Sequence, residues 1–420
     1  MKITTDRANF LKPLGHVQSV VERRNTIPIL SNVILRTGEN NLSLAATDMD
    51  IDILENIECY VNSPGSLTVT AHILYDIVRK LPEGSEITIE FENGIATLTS
   101  NKSKFSLPVL PVEDYPELAN ENFNTSFEIE VESLRRLIDS TRFAISLEET
   151  RYYLNGIFFH QLEHNLIAVA TDGHRLARAS MPLPNGAELL KGLIVPRKAI
   201  NEIRKLIEDY ENDIVTKISA SETRIKVEIG NTAITSKLID GNFPDYNKVI
   251  PDQNHNVMKI DNQKFSESVD RVSTIFADKS RSVTLNLSNN ILSLQANSPD
   301  TGSASDEIDV DYSGEELSIG FNSRYLLDLT SQIGLGETII AFKDSGSPAL
   351  VKTPDDEDVL ASCEWVDEWL AWCCKQEIWD RSQQFWDNNF STPVPPLSFL
   401  PENIVSNSRD RIAQRKDDEN

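Results

Sequence analysis

Cysteine is scarce: four residues in 420, three of them crowded at Cys363, Cys373 and Cys374. That number and spacing exclude a disulfide framework and offer no paired Cys-x-x-Cys for zinc. No run of about 18 apolar residues occurs, so no transmembrane helix is expected. The N-terminus, Met1-Lys2-Ile3-Thr4-Thr5-Asp6-Arg7, meets charge at once and lacks an apolar signal core. A glycine-rich phosphate loop of the nucleotide-binding kind is missing. Positive charge is in deficit, with 40 Lys+Arg against 65 Asp+Glu and a net charge of −25. As a sum this argues against nucleic acid, whose usual footprint is basic. A sum hides placement, however, and a protein can repel DNA from outside while presenting a basic inner surface. What remains is a globular composition, 40 % apolar and 25 % charged, long enough for roughly two to four domains. A reducing, cytoplasmic compartment is the expectation.

The chain repeats itself three times. Asn41-Leu42-Ser43-Leu44-Ala45-Ala46-Thr47-Asp48, Asn165-Leu166-Ile167-Ala168-Val169-Ala170-Thr171-Asp172 and Ile291-Leu292-Ser293-Leu294-Gln295-Ala296-Asn297-Ser298 read alike, with Ala46, Ala170 and Ala296 spaced 124 and 126 residues apart. Downstream, Val69, Val195 and Ile319 recur at similar spacing, each in a short apolar run before a helical stretch. Each unit opens with an amphipathic helix: Phe10, Leu14, Val17 and Val21 in the first, Leu134, Ile138 and Thr141 in the second, Phe265, Val269, Val272 and Phe276 in the third. Alternating runs such as Glu86 to Phe91 and Arg224 to Ile229 read as strands. Repeats of this length mean a structural array. The polar helix faces carry Lys12, Arg23, Arg79, Lys80, Arg135, Arg136, Arg142, Arg204, Lys205 and Arg271. These residues read either as solvated faces laced with acids or as a track for a phosphate backbone.

Several ordered motifs resemble those of the bacterial DNA polymerase III beta subunits, the sliding clamps. They are Lys12-Pro13-Leu14, Thr26-Ile27-Pro28-Ile29-Leu30, Arg79 to Gly84, Arg151-Tyr152-Tyr153-Leu154-Asn155-Gly156, Ala170-Thr171-Asp172-Gly173-His174-Arg175-Leu176, Val195-Pro196-Arg197-Lys198, Phe243-Pro244-Asp245-Tyr246 and Ile319-Gly320-Phe321-Asn322. The resemblance covers Met1 to about Leu360. It implies an α+β fold of three clamp-type domains, helices on one face of antiparallel sheets, closed as a head-to-tail dimeric ring. The domains are expected at 1–120, 125–252 and 253–360, the third without its usual closing strand. The implied function is a processivity factor that encircles duplex DNA without reading its sequence. The implied partners are the replicative polymerase, the clamp loader and a second copy of the chain. No membrane, cofactor or metal is expected, and the chain is not catalytic by itself.

The resemblance also carries site residues. Arg24, Tyr152 and Tyr153 match DNA contacts of the family, while His72 and Glu148 stand where relatives often carry Arg and Gln. Glu148 is expected to repel a phosphate. Lys12, Arg79 and Lys198 complete the DNA-facing set. A peptide groove between the second and third units is implied at Leu154, Thr171, Gly173, His174, Arg175, Leu176, Pro244, Lys248, Val249, Asn322 and Tyr325. Its apolar members form a trough, and its polar members hold an extended peptide at the rim. Read without the resemblance, Thr171 to His174 is a turn, and the Tyr pair is strand packing. His160 and His164 read as a hairpin connection rather than a zinc pair. Two other function classes are a hydrolase centred on His174 and a β-rich scaffold with no DNA role.

Beyond residue 360 the composition changes. All five Trp lie there, with Trp365, Trp372, Trp379 and Trp386 at seven-residue spacing. The segment 361–420 reads as an out-of-frame or fused segment, as a helix packed on the third unit, or as a partner-binding helix.

Overall fold

The computed structural model describes residues 1–118, 121–276 and 282–354, together with the backbone of 359–362. The tail from 363 onward, and the three readings of it, lie outside the described residues.

Unit 1 runs β1 (Lys2–Asp6), α1 (Arg7–Val20), β2 (Asn32–Thr37), β3 (Asn41–Thr47), β4 (Ile51–Glu58), β5 (Tyr60–Ser63) and β6 (Ser66–Thr70). It then adds α2 (Ala71–Lys80), β7 (Glu86–Glu92), β8 (Ile95–Ser100) and β9 (Ser103–Pro108). Unit 2 repeats the plan with β10 (Thr125–Glu130), α3 (Val131–Arg142), β11 (Gly156–Leu162), β12 (Asn165–Thr171), β13 (Arg175–Pro182) and β14 (Leu193–Pro196). It closes with α4 (Arg197–Glu208), β15 (Val215–Ala220), β16 (Arg224–Ile229) and β17 (Thr232–Lys237). Unit 3 has β18 (Asn256–Asp261), α5 (Asn262–Ser273), β19 (Ser282–Ser288), β20 (Ile291–Ser298), β21 (Gly302–Asp309), β22 (Asp311–Tyr312) and β23 (Leu317–Asn322). It ends with α6 (Ser323–Ile333), β24 (Glu337–Phe342), β25 (Ala349–Lys352) and β26 (Val359–Ser362).

The helices form where the apolar stripes stand. Phe10, Leu14 and Val17 are fully buried in α1, and Leu134, Ile138 and Thr141 in α3 and Phe265, Val269 and Val272 in α5 repeat the pattern. Strand registers make the repeat exact to the residue. Val33 pairs Val69, Ile157 pairs Val195 and Val283 pairs Phe321 across the equivalent ladders. Phe321, two residues beyond the expected Ile319, is therefore the third counterpart of Val69 and Val195. The two-residue error arose because Ile319 is equally buried and lies on the same strand face.

The sheets do not stop at unit borders. One eight-stranded sheet has the order β10-β15-β16-β17-β4-β3-β2-β6, so β17 of unit 2 pairs β4 of unit 1. A nine-stranded sheet has the order β14-β11-β12-β13-β26-β25-β24-β18-β22 and joins units 2 and 3 through β13 and β26. The expectation that unit 3 lacks a closing strand is thereby corrected. Val359–Ser362 lies between β13 and β25, with Ala177 opposite Leu360 on one side and Val351 opposite Leu360 on the other. A strand paired on both edges needs only a short run that can enter both ladders. It spans the expected end of the third domain at residue 360. The remaining sheets, β5-β1-β7-β8-β9 and β21-β20-β19-β23, end on β9 and β21.

Units 1 and 2 are also tied by ions. His16 on α1 places Nδ1 2.8 Å from Glu55 Oε2 on β4 and Nε2 2.6 Å from Asp209 Oδ2 just past α4. Both acceptors are carboxylates, so the ring satisfies both only when doubly protonated. Burial by itself lowers the His16 pKa, but the hydrogen bonds and charges of Glu55 and Asp209 outweigh it and raise it above 6.5. Stability from this bridge is therefore full below that ordinary value and is lost as pH rises through the elevated one. The melting-temperature advantage of the wild type over His16→Gln should shrink as pH rises above 6.5. A constant difference across that range would show that His16 does not carry the proton.

Candidate functional site

The helical face is less positive than its Lys and Arg content suggests. Lys12 lies 3.6 Å from Asp209 and Arg79 3.0 Å from Asp76. Lys198, at the start of α4, reaches back to unit 1, 2.9 Å from Glu22 and in contact with Asp48. Arg142 and Arg204 share Asp139, and Arg271 sits 2.6 Å from Asp306. Lys12, Arg79 and Lys198 thus each have an acidic partner. Arg24 differs: it is exposed in the loop after α1 and makes no ion pair among the described residues. Arg23 beside it is in the same state.

His72 is turned inward. Its Nε2 donates to the Val21 carbonyl at 3.0 Å, and its Nδ1 lies 2.6 Å from the Gln18 amide, so the ring ties α2 to the end of α1. Glu148 is not an isolated negative charge. Arg151 grips it with two contacts, Nη2 to Oε1 at 2.5 Å and Nε to Oε2 at 2.9 Å. The hydrogen bond from Arg151 holds the Glu148 carboxyl below the usual carboxylate range. The repulsion expected at Glu148 is therefore cancelled locally. Tyr152 and Tyr153 stand on a 3-10 turn, Glu149–Leu154, and not in a strand as the packing alternative required. Tyr152 is 54 % exposed, and the two rings meet edge to face at 5.8 Å. Gly156, which ends that motif, lies so close to the Val195 carbonyl that any Cβ would collide with it.

The second site centres on a turn between β12 and β13. Asp172 Oδ1 accepts from the backbone N–H groups of His174 and Arg175, each at 2.9 Å, and Gly173 takes φ +87°. Thr171 Oγ1 donates to the Arg175 carbonyl at 2.7 Å and accepts from the Gly173 N–H at 3.1 Å. The turn aims Arg175 into the seam between units 2 and 3. Its guanidinium meets Asp172 at 3.1 Å, Asp328 of α6 at 2.6 Å and the Phe143 carbonyl at 2.7 Å. It also lies 4.5 Å from the Tyr325 ring centre, while His174 stacks loosely on the same ring at 6.0 Å. Asn322 caps α6 by accepting from the Arg324 N–H, which fixes the helix that carries Tyr325 and Asp328.

Leu176 and Val249 meet in an apolar cluster with Ile167, Val169, Phe243, Tyr246, Ile250 and Leu350. Phe243 stacks on Phe158 at 4.8 Å, and His160 Nε2 lies 2.8 Å from the Tyr246 hydroxyl. His160 Nδ1 donates to the Gln161 carbonyl, so a neutral ring accepts the Tyr246 proton. Burial lowers the His160 pKa and favours that neutral form. These contacts pin the loop bearing Pro244 and Lys248, with Lys248 3.1 Å from Asp245. Leu154 is buried at the end of its 3-10 turn and stands outside this cluster. Thr171 and Arg175 spend their polar groups inside the protein, so they build the rim rather than offer it free donors. Asp328 and Phe143 were not singled out in the sequence, and His160 and Tyr246 were named there without a role in this site. Asp328 is 153 residues from Arg175, and no local pattern marks it.

Three equal helix-on-sheet units, fused through shared sheets and carrying one apolar groove at a seam, define a clamp-type architecture. Residues 1–119, 128–245 and 247–363 match the N-terminal, central and C-terminal domains of the DNA polymerase III beta subunit. The beta sliding clamp of Caulobacter vibrioides is 47 % identical over 365 residues, 86 % of this chain and 98 % of that one. That of Pseudomonas aeruginosa is 38 % identical over 359 residues, 85 % of this chain and 97 % of the other. A sliding clamp of Bartonella birtlesii, solved with griselimycin bound, superposes with a TM-score of 0.84 at 44 % identity, covering 86 % of this chain and 98 % of that chain. The chain belongs to the DNA polymerase III beta subunit family, the β sliding clamps. It is a polymerase processivity clamp, an accessory subunit that is not catalytic by itself. The hydrolase and scaffold alternatives fall with that assignment.

Removing Arg175 leaves Asp172 and Asp328 facing each other without their shared cation. Arg175→Ala should cost about 3 kcal/mol, read as a lower denaturant midpoint with units 2 and 3 uncoupled. Arg175→Lys should recover only part of it, because a single ammonium cannot serve three acceptors and an aromatic face. Full recovery by Lys would contradict the multidentate role.

Proposed function

We propose that two copies of the chain close head to tail into a ring around duplex DNA. The observation that carries this is the pair of continuous sheets. β4 with β17 and β13 with β26 join consecutive units. By the same register, β21 and β9 are the third such pair, and each ends a sheet. Two chains in a cycle give both edges a partner and remove the exposed ladders. Aligned on the internal junctions, Ala304 faces Phe105 and Ser305 faces Lys104 of the second copy. Asp306, Glu307 and Asp309 on β21 complement Lys102 and Lys104 beside and on β9.

The DNA-facing surface is the helical one, with Arg24, Tyr152 and Tyr153 as contacts and Lys12, His72, Arg79, Glu148 and Lys198 around them. Sequence-blind phosphate contact suits a ring that must slide. The mostly paired cations keep that contact weak, and topology supplies retention. The groove around His174, Arg175, Leu176, Val249 and Tyr325 receives an extended peptide from the replicative polymerase or the clamp loader. Tethering then turns polymerase rebinding into an intramolecular event. The compartment is the cytoplasm, where these partners act.

Once loaded on nicked circular DNA, the protein should stay bound and should fall off after linearisation. Equal retention on both forms would refute encirclement. Arg24→Ala should lower the salt dependence of DNA binding by roughly one unit of slope. Glu148→Gln frees the Arg151 guanidinium and should raise low-salt affinity about twofold. An unchanged affinity would place that pair away from DNA.

A further inference from the structure

The internal repeat identifies polar residues at the unit junctions as well as strands. Phe10, Leu134 and Phe265 correspond, so His16 on α1 matches Ser140 on α3 and Arg271 on α5. From the hairpin registers, Leu44 pairs Glu55 while Leu294 pairs Asp306, so Glu55 and Asp306 also correspond. The same ion pair therefore occurs twice, as His16 with Glu55 at 2.8 Å and as Arg271 with Asp306 at 2.6 Å. In the first case a third member comes from the next unit. Asp209, two residues past the buried Ile207 in the last turn of α4, meets His16 at 2.6 Å. In the second case no third member from another unit is present among the described residues, and only Glu267 of the same helix lies nearby, 3.9 Å from Arg271.

A second position behaves in the same way. Glu202 on α4 and Asp328 on α6 are 126 residues apart and equivalent. Each takes a donor from the preceding unit, Glu202 from the Ser19 hydroxyl and Asp328 from Arg175. Their counterpart on α2 is Asp76, and the counterpart of Asp209 is Glu83, two residues past the buried Leu81. Unit 1 has no preceding unit within the chain. Asp76 is half-exposed and held only by Arg79, as Glu202 is held by Lys205. Glu83 is exposed and has no ion pair among the described residues. Arg271 keeps 55 % of its side chain exposed and Thr274, the counterpart of Ser19, closes α5 beside it.

We propose that α2 of one copy and α5 of a second copy form a charged clasp, in which Glu83 completes the Arg271–Asp306 pair and Asp76 receives the Thr274 hydroxyl. This rests on the ring reading and adds helix contacts to the β21–β9 seam. It also assigns different chemistry to equivalent junctions. The seam between units 1 and 2 is held by a titratable imidazolium, and the seam between copies by a guanidinium that stays charged at all physiological pH.

A double-mutant cycle on the full-length chain tests the clasp, with the monomer–dimer constant read by sedimentation as a function of concentration. Glu83→Gln and Arg271→Gln should each weaken the dimer about fivefold, and the double variant no more than about tenfold, well short of the product of two independent effects. Glu83→Gln is the cleaner arm, because it disturbs no intrachain ion pair. A dimer constant unchanged by Glu83→Gln, or fully multiplicative losses, would overturn the clasp. If Phe105→Asp on β9 still dissociates the dimer in that case, the ring reading stands while the clasp falls. A wild-type chain that stays monomeric at all concentrations would remove both.

Discussion

The structure depends on backbone pairing carried across unit borders. A three-unit chain could have packed side chain against side chain at each seam. Instead β4 enters the sheet of unit 2 and β13 enters that of unit 3. Ladder hydrogen bonds are directional, so each seam fixes both distance and angle between consecutive units. With both internal seams made, the edges β9 and β21 are left at the ends of their sheets. A chain with two complementary strand edges either polymerises or closes.

Charge is arranged around that geometry. The net charge of −25 is not spread evenly. Acids at the seams hold cations from the neighbouring unit, as Asp209 holds His16 and Lys12, and as Asp328 holds Arg175. Other cations are paired inside their own unit, as Arg204 is with Asp139 and Arg79 with Asp76. The turn at residues 171–175 likewise consumes the polar groups of Thr171, Asp172 and Arg175, beside the apolar cluster of Ile167, Val169 and Leu176.

Much of this was legible in the residues. The 124- and 126-residue spacing of Ala46, Ala170 and Ala296 gave three units, and the helical stripes gave their cores, because periodicity reports burial directly. The Thr171 to Arg175 turn was visible because Asp and Gly encode it locally. What stayed hidden was non-local. Nothing near Arg175 announces Asp328, and nothing near His16 announces Asp209, since these meet only after the sheets join. The pairing of Glu148 with Arg151 depends on a 3-10 turn the pattern does not specify. One error has the same root. The closing strand was missed because Val359 to Ser362 takes its place from two flanking ladders and not from its own alternation.

The central claim is that β9 and β21 are edges only in an isolated copy. Amide hydrogen exchange of the full chain, followed residue by residue over a dilution series, tests it most directly. At concentrations where the dimer forms, amides of β9 and β21 that point outward should exchange as slowly as those of β4 and β17, and should lose that protection on dilution while β4 and β17 keep theirs. Rapid exchange of the β9 and β21 edges at every concentration, with β4 and β17 protected throughout, would contradict the account.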